Sequence, residues 1–255
     1  MKKIVLLAIC LMVTAGLLVG CSHKDAALRK DRAEAARNLG EAYMAEGNYT
    51  KALRELLKAE QMNPADSFLQ NDLGLTYMAK DDPRQAVDHF KKALKINPDY
   101  SPALNNLGTA YIALEQWDQA IECFTGVADD LLYATPYYPL TNLGYVHYKQ
   151  GRYEMAERYY KEALELKSDF TKAVQGLGQV YMASGEYEKA IDKFERAVEL
   201  APKAARLHLD LGRAYEKYHD YHKAVNAYKK AAAIAAGTAL ADEAESAARA
   251  LQQSW

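Results

Sequence analysis

Six Leu-Gly pairs recur along the chain, at Leu39-Gly40, Leu73-Gly74, Leu107-Gly108, Leu143-Gly144, Leu177-Gly178 and Leu211-Gly212. The spacings are 34, 34, 36, 34 and 34 residues. Other positions keep the same step. Three residues after each Gly stands Tyr43, Tyr77, Tyr111, His147, Tyr181 or Tyr215. Twelve after it stands Ala52, Ala86, Ala120, Ala156, Ala190 or Ala224, and four later a large apolar residue: Leu56, Phe90, Phe124, Tyr160, Phe194 or Tyr228. A fixed period of this length means stacked copies of one supersecondary unit, none of which can bury its apolar face alone. Ala, Leu, Glu, Lys and Tyr dominate, and Val/Ile/Thr alternation is absent, so the unit is helical.

Glycine inside a helix costs about 1 kcal/mol relative to Ala. Six such costs imply close contact between the two helices of each unit. The expected partner of each Gly is the small Ala of the second helix, with the large residues filling the space between one unit and the next. Gly47-Asn48, Gly151-Arg152 and Gly185-Glu186 suit left-handed helix stops. Ser101-Pro102 suits an N-cap followed by Pro at the first helical position. Pro64, Pro98 and Pro202 close three units.

Position by position, this pattern resembles the tetratricopeptide repeat over residues 33–238. The resemblance implies an all-α, right-handed superhelical solenoid of six repeats. Residues 239–255 follow as a capping helix, Ala-rich with Asp242, Glu243 and Glu245 exposed, which is the polar cover that a solenoid needs at its end.

The first residues read as a targeting segment. Lys2 and Lys3 precede an apolar run from Ile4 to Val19, 16 residues and short for a spanning helix. It ends in Leu18-Val19-Gly20-Cys21, which resembles the lipobox of bacterial lipoproteins. The resemblance implies a signal peptide over 1–20, diacylglycerol and acyl attachment (palmitate-type chains) at Cys21, and a charged tether over 21–32. Cys10 leaves with the signal, so Cys123 has no intramolecular disulfide partner in the mature chain and reads as a small buried hydrophobe.

Several chemistries find no support in the sequence. Net charge is −2, and removing 1–20 takes away two lysines and no acid, leaving 30 bases against 34 acids, or −4. No basic cluster of the kind that binds nucleic acid stands out. His219 and His222 are three apart, yet no third metal ligand is in register. Gly176-Leu177-Gly178 follows no strand, so it does not read as a phosphate loop. No nucleophile–base pattern appears. The expectation is a non-enzyme with no cofactor, no metal and no small-molecule substrate.

A protein partner is the remaining reading. The resemblance places the first helix of each pair on the concave side. That makes Asn71, Leu75, Met78, Asn105, Thr109, Ile112, Thr141, Tyr145, Tyr148, Gln175, Gln179 and Met182 the lining of a groove: amides for a peptide backbone, apolar groups for its side chains. The last repeat offers the charged Arg206, Asp210, Arg213, Glu216 and Lys217. A basic clamp for a carboxylate is incomplete, since Arg37 is followed in register by Asn71 and Asn105. Of 19 tyrosines, 11 occupy repeat positions and five of the rest cluster at Tyr133, Tyr137, Tyr138, Tyr145 and Tyr148, next to the two-residue break in period and its Pro136 and Pro139. Tyr145 and Tyr148, three apart on one first helix, are the expected binding centre.

A lipobox ahead of six such repeats, with the register broken after the third, resembles the type IV pilus pilotins of the PilF, PilW and Tgl kind. That resemblance implies an outer-membrane lipoprotein facing the periplasm, whose partner is the pilus secretin. Ser22 after the cysteine lacks the Asp that retains lipoproteins at the inner membrane. The alternative is a lipid-anchored adaptor for cell-wall hydrolases or for outer-membrane assembly machinery.

Overall fold

The computed structural model describes residues 27–130 and 133–253. The expected signal peptide, Cys21, the first part of the expected tether, Leu131, Leu132 and the last two residues lie outside them. The described residues form thirteen helices and no strand. Helix α1 covers residues 27–45. It is followed by α2 (Tyr49–Met62), α3 (Ser67–Ala79), α4 (Pro83–Ile96), α5 (Ser101–Ala113), α6 (Trp117–Ala128), α7 (Tyr137–Lys149), α8 (Tyr153–Leu166), α9 (Thr171–Ala183), α10 (Tyr187–Leu200), α11 (Ala205–Lys217), α12 (Tyr221–Ile234) and α13 (Ala239–Gln253). Odd-numbered helices from α1 to α11 hold the six Leu-Gly pairs. The chain divides into two compact units, Met1–Gln116 and Trp117–Trp255, so the third repeat gives one helix to each. Within each unit consecutive helices pack against one another.

The turn inside every repeat is set seven residues after its Gly. Gly47, Gly151 and Gly185 have φ of 74°, 73° and 76°, as the sequence leads one to expect. The three remaining repeats place Asp81, Glu115 and His219 in the same left-handed region, at 60°, 56° and 67°. A side chain there is disfavoured, so the helix pairing imposes the turn even where the residue resists it. Side-chain caps start several second helices: Asn48 accepts from Lys51 N at 3.3 Å, Asp82 from Gln85 N at 3.2 Å and Asp220 from Lys223 N at 3.1 Å. Ser101 is not a cap: α5 begins on it, and Tyr100 precedes it without a side-chain cap bond.

Gly40, Gly74, Gly144, Gly178 and Gly212 each face the large residue sixteen positions on, in their own pair, and this corrects the Gly–Ala contact expected at these positions. A Cβ on Gly40 would lie 2.7 Å from Leu56, on Gly144 2.8 Å from Tyr160, on Gly178 2.6 Å from Phe194 and on Gly212 2.5 Å from Tyr228. Gly74 meets Phe90 in the same way. The large residue therefore fills a slot that the missing side chain opens, and the Ala residues that recur in step are buried as well. Gly176, which has no repeat equivalent, faces Tyr160 of the preceding pair. Tyr160 thus lies between two glycines, and the Gly176-Leu177-Gly178 run is a packing feature. Helix α13 buries Ala241, Ala244, Ala248 and Leu251 and exposes Asp242, Glu243 and Glu245, as a capping helix should.

Gly176→Ala is expected to destabilise the protein by about 1–3 kcal/mol, because its Cβ would enter the space of the Tyr160 ring. Adding Tyr160→Leu should restore part of the loss. Circular dichroism melts of the single and double variants check both.

Candidate partner-binding surface

The first helices bring side chains one position apart in the repeat register into a ladder between repeats. In the first unit Asn106 donates through Nδ2 to Asn71 Oδ1 at 2.9 Å. In the second, Gln175 donates through Nε2 to Asp210 Oδ2 at 2.9 Å. Both pairs span 35 residues, one period plus one. Asn71 is buried, so this amide is engaged in joining repeats and is not held open for a ligand. Thr141 is buried likewise and donates to Tyr137 O at 2.7 Å. Leu75, Met78, Ile112, Gln179 and Met182 are half-buried, Asn105 also, and Thr109 is exposed with its hydroxyl donating to Asn105 O at 3.2 Å. The expected groove positions thus divide into rungs that bind the repeats and a remaining apolar and amide surface on each unit.

Charge at the start of the first unit is already matched. Arg37 pairs with Glu41 at 3.1 Å and with Asp66 at 3.2 Å, and its guanidinium lies 5.7 Å from the Phe68 ring. It is not a free clamp base. Asp72 belongs to this group and has its Oδ2 buried without a hydrogen-bond partner. Burial pushes its carboxyl up, the Glu41 charge adds to that, and Arg37 opposes it, leaving Asp72 at about 7. In the last repeat, Asp210 is buried with Arg206 at 3.4 Å and Arg213 at 3.6 Å. Burial raises its carboxyl, while the Gln175 hydrogen bond and the two arginines lower it.

The tyrosine cluster of the second unit splits by role. Tyr145 is 36% exposed. Tyr148 is half-buried, packs against the core of this unit, and has its ring 6.0 Å from that of Tyr153. Burial raises its phenol, helped by Tyr153 and Asp210. Tyr137 and Tyr138 form a trio with Phe170, with ring centroids 4.8, 4.9 and 5.0 Å apart, and Lys167 Nζ lies 4.9 Å from the Tyr137 ring. Phe170 escaped the sequence reading because it lies in the next turn. Its position just before α9 is the only signal that could have found it, since Tyr100 precedes α5 in the same way and contacts Phe68 at 5.0 Å. Repeat-position tyrosines tie neighbouring pairs: Tyr181 donates to Glu157 at 2.8 Å and Tyr215 to Glu195. At His147, the one exception to Tyr, the ring stacks on Tyr159 at 5.3 Å. His219 and Tyr221 share a hydrogen bond of 2.8 Å. Among the described residues no group of three His, Cys, Asp or Glu is placed to hold a metal ion.

Profiles of the tetratricopeptide repeat match residues 33–66, 68–100, 99–169, 141–205 and 176–254. The chain is a tetratricopeptide-repeat protein. By sequence alone, no curated protein matches it. Solved structures do match in fold. PilF of Pseudomonas aeruginosa superposes with a TM-score of 0.71 at 21% identity, over 86% of this chain and 98% of PilF. PilW, a widely conserved type IV pilus biogenesis factor, gives 0.77 at 22%, over 83% and 97%. YrrB, a tetratricopeptide protein with an unusual peptide-binding site, gives 0.52 at 22%, over 75% and 97%. The repeat protein is therefore a helical scaffold similar in fold, over nearly their whole length, to PilF and PilW.

Two outcomes follow for this scaffold. Tyr148→Ala should lower the melting temperature, whereas Tyr145→Ala should change stability by no more than about 0.5 kcal/mol; paired thermal melts check this. For Asp72 the sign runs against the usual carboxylate. The unfolded group loses its proton near 3.8 and the folded one near 7, so stability is lost as pH rises through that window. Asp72→Asn should therefore melt above the parent at pH ~8 and level with it at pH ~4, read by calorimetry at both values.

Proposed function

We propose that this repeat protein is an outer-membrane lipoprotein that acts as a pilotin, holding a segment of the type IV pilus secretin and assisting its localisation and assembly into multimers. The observation that carries the proposal is a combination: a lipobox ending at Cys21 stands directly ahead of a repeat array that spans 98% of PilF and 97% of PilW. The first unit supplies half-buried apolar groups in Leu75, Met78 and Ile112; the second supplies Met182 and the exposed Tyr145, with Gln179 as an amide for a peptide backbone.

The mechanism needs no bond chemistry. Acyl chains at Cys21 hold the scaffold to the membrane, each buried methylene contributing about 0.8 kcal/mol, and more than one chain makes the attachment stable. A secretin protomer held by the scaffold travels with it. Protomers that share a surface meet at raised local concentration, which favours multimers without any new contact between them.

Cys21→Ala should abolish labelling by a palmitate analogue and remove the protein from the outer-membrane fraction. Labelling that persists would end the lipoprotein reading. Tyr145→Ala should weaken secretin capture by about 2 kcal/mol and reduce heat-resistant secretin multimers, with the fold intact. Normal multimers in a strain lacking the protein altogether, together with co-purification of peptidoglycan hydrolases, would favour the adaptor role.

A further inference from the structure

The first repeat leaves uncovered a face that every other repeat buries. Leu39 is 45% exposed, while the same position in the other five, Leu73 to Leu211, is at most 7% exposed. Ala35 and Ala42, one helical turn either side, are exposed as well. Their equivalents Leu69, Ala103, Ala173 and Leu207, and Thr76, Ala110, Val146, Val180 and Ala214, are all buried. Leu28 lies on the same stripe of α1, since 28, 32, 35, 39 and 42 follow the spacing of one helical face, and it is 48% exposed. In the rest of the array this face packs on the preceding helix pair. On α1 it lies exposed among the described residues.

Two observations identify the occupant. First, only residues 22–26 separate Cys21 from α1. Six Cα steps reach about 22 Å at most, so lipid attached at Cys21 holds the start of α1 close to the headgroup layer. Second, the Leu28–Leu39 stretch of α1 carries Arg29, Lys30 and Arg32, all exposed, against the exposed acids Asp31 and Glu34, with Arg37 already paired to Glu41 and Asp66, in a chain whose mature form is net negative. Arg32 sits on the apolar stripe itself. Apolar side chains flanked by exposed cations are the composition of a helix that lies in an anionic lipid interface. We propose that the Leu28–Leu39 face of α1 is a membrane-facing surface, which seats the first repeat on an anionic lipid headgroup layer. This rests on the reading of Cys21 as the lipid anchor.

The test uses the full lipidated protein in proteoliposomes of phosphatidylethanolamine and phosphatidylglycerol. An environment-sensitive fluorophore is placed through Ala35→Cys or, as a control on α13, through Glu245→Cys, with a quencher carried by the lipids. The label at 35 should be quenched severalfold more than the label at 245. The difference should shrink when phosphatidylcholine replaces phosphatidylglycerol. Adding Leu28→Asp and Leu39→Asp should abolish it while the circular dichroism melt is unchanged, since both residues are exposed. Mass spectrometry of the Cys21 peptide reports the anchor separately. Lipidated protein with equal quenching at both positions overturns the membrane-facing surface and leaves the anchor standing. Unlipidated protein still quenched at 35 on the same vesicles supports the surface and overturns the anchor. Absence of both lipid and quenching overturns both. Energy transfer between labels at 35 on different copies, persisting in detergent, overturns the proposal in favour of a contact between two chains.

Discussion

The structure depends on one contact repeated along the chain: a glycine on the first helix of a pair and a large side chain sixteen residues later on the second. The glycine is poor helix material, and its cost is offset by what its absent side chain admits. Leu56, Phe90, Tyr160, Phe194 and Tyr228 are each almost completely buried in that slot. Removing the slot would leave the ring without a place or push the helices apart, and dense interiors tolerate neither. The same contact explains why Asp81 and His219 accept a left-handed backbone: the turn must close the hairpin at the distance that the Gly–ring contact fixes.

A second layer of interactions joins one pair to the next. The rungs Asn71–Asn106 and Gln175–Asp210 and the ties Tyr181–Glu157 and Tyr215–Glu195 are all polar and all between repeats. They use groups that a reading of one repeat alone assigns to a ligand. Their geometry divides the first-helix surface into residues spent on the array and residues left at the surface of each unit. Tyr145, Thr109 and the half-buried aliphatic groups belong to the second class. A surface of this kind, apolar with a few amides, suits an extended or helical protein segment better than a charged small molecule. The proposed secretin partner fits that chemistry, and the lipid anchor would give the complex its address.

The fold was almost wholly legible in the sequence. The Leu-Gly period fixed the number of pairs, Gly47, Gly151 and Gly185 marked three turns, and Asp242, Glu243 and Glu245 marked the exposed face of α13. Each of these rests on local backbone preference or on helical spacing, which a linear pattern contains. The candidate surface was legible only in outline. Register says which helix face a residue occupies, but not whether its polar atoms are already used.

That distinction is where the tertiary structure decided. Asn71 and Thr141 look like recognition groups in register, and their burial and hydrogen bonds make them part of the scaffold. Tyr145 and Tyr148 look equivalent three residues apart, and packing exposes one and half-buries the other against the core. Phe170 and Gly176 look unrelated to the tyrosines, and one completes the Tyr137–Tyr138 trio while the other makes room for Tyr160. Asp72 looks like an ordinary surface carboxylate, and burial beside Glu41 holds its carboxyl well above the usual carboxylate range. The sequence by itself determined the repeating hairpin, because period and propensity are local properties. Only the tertiary structure determined which polar and aromatic groups are consumed between repeats, because those contacts join residues a full period apart.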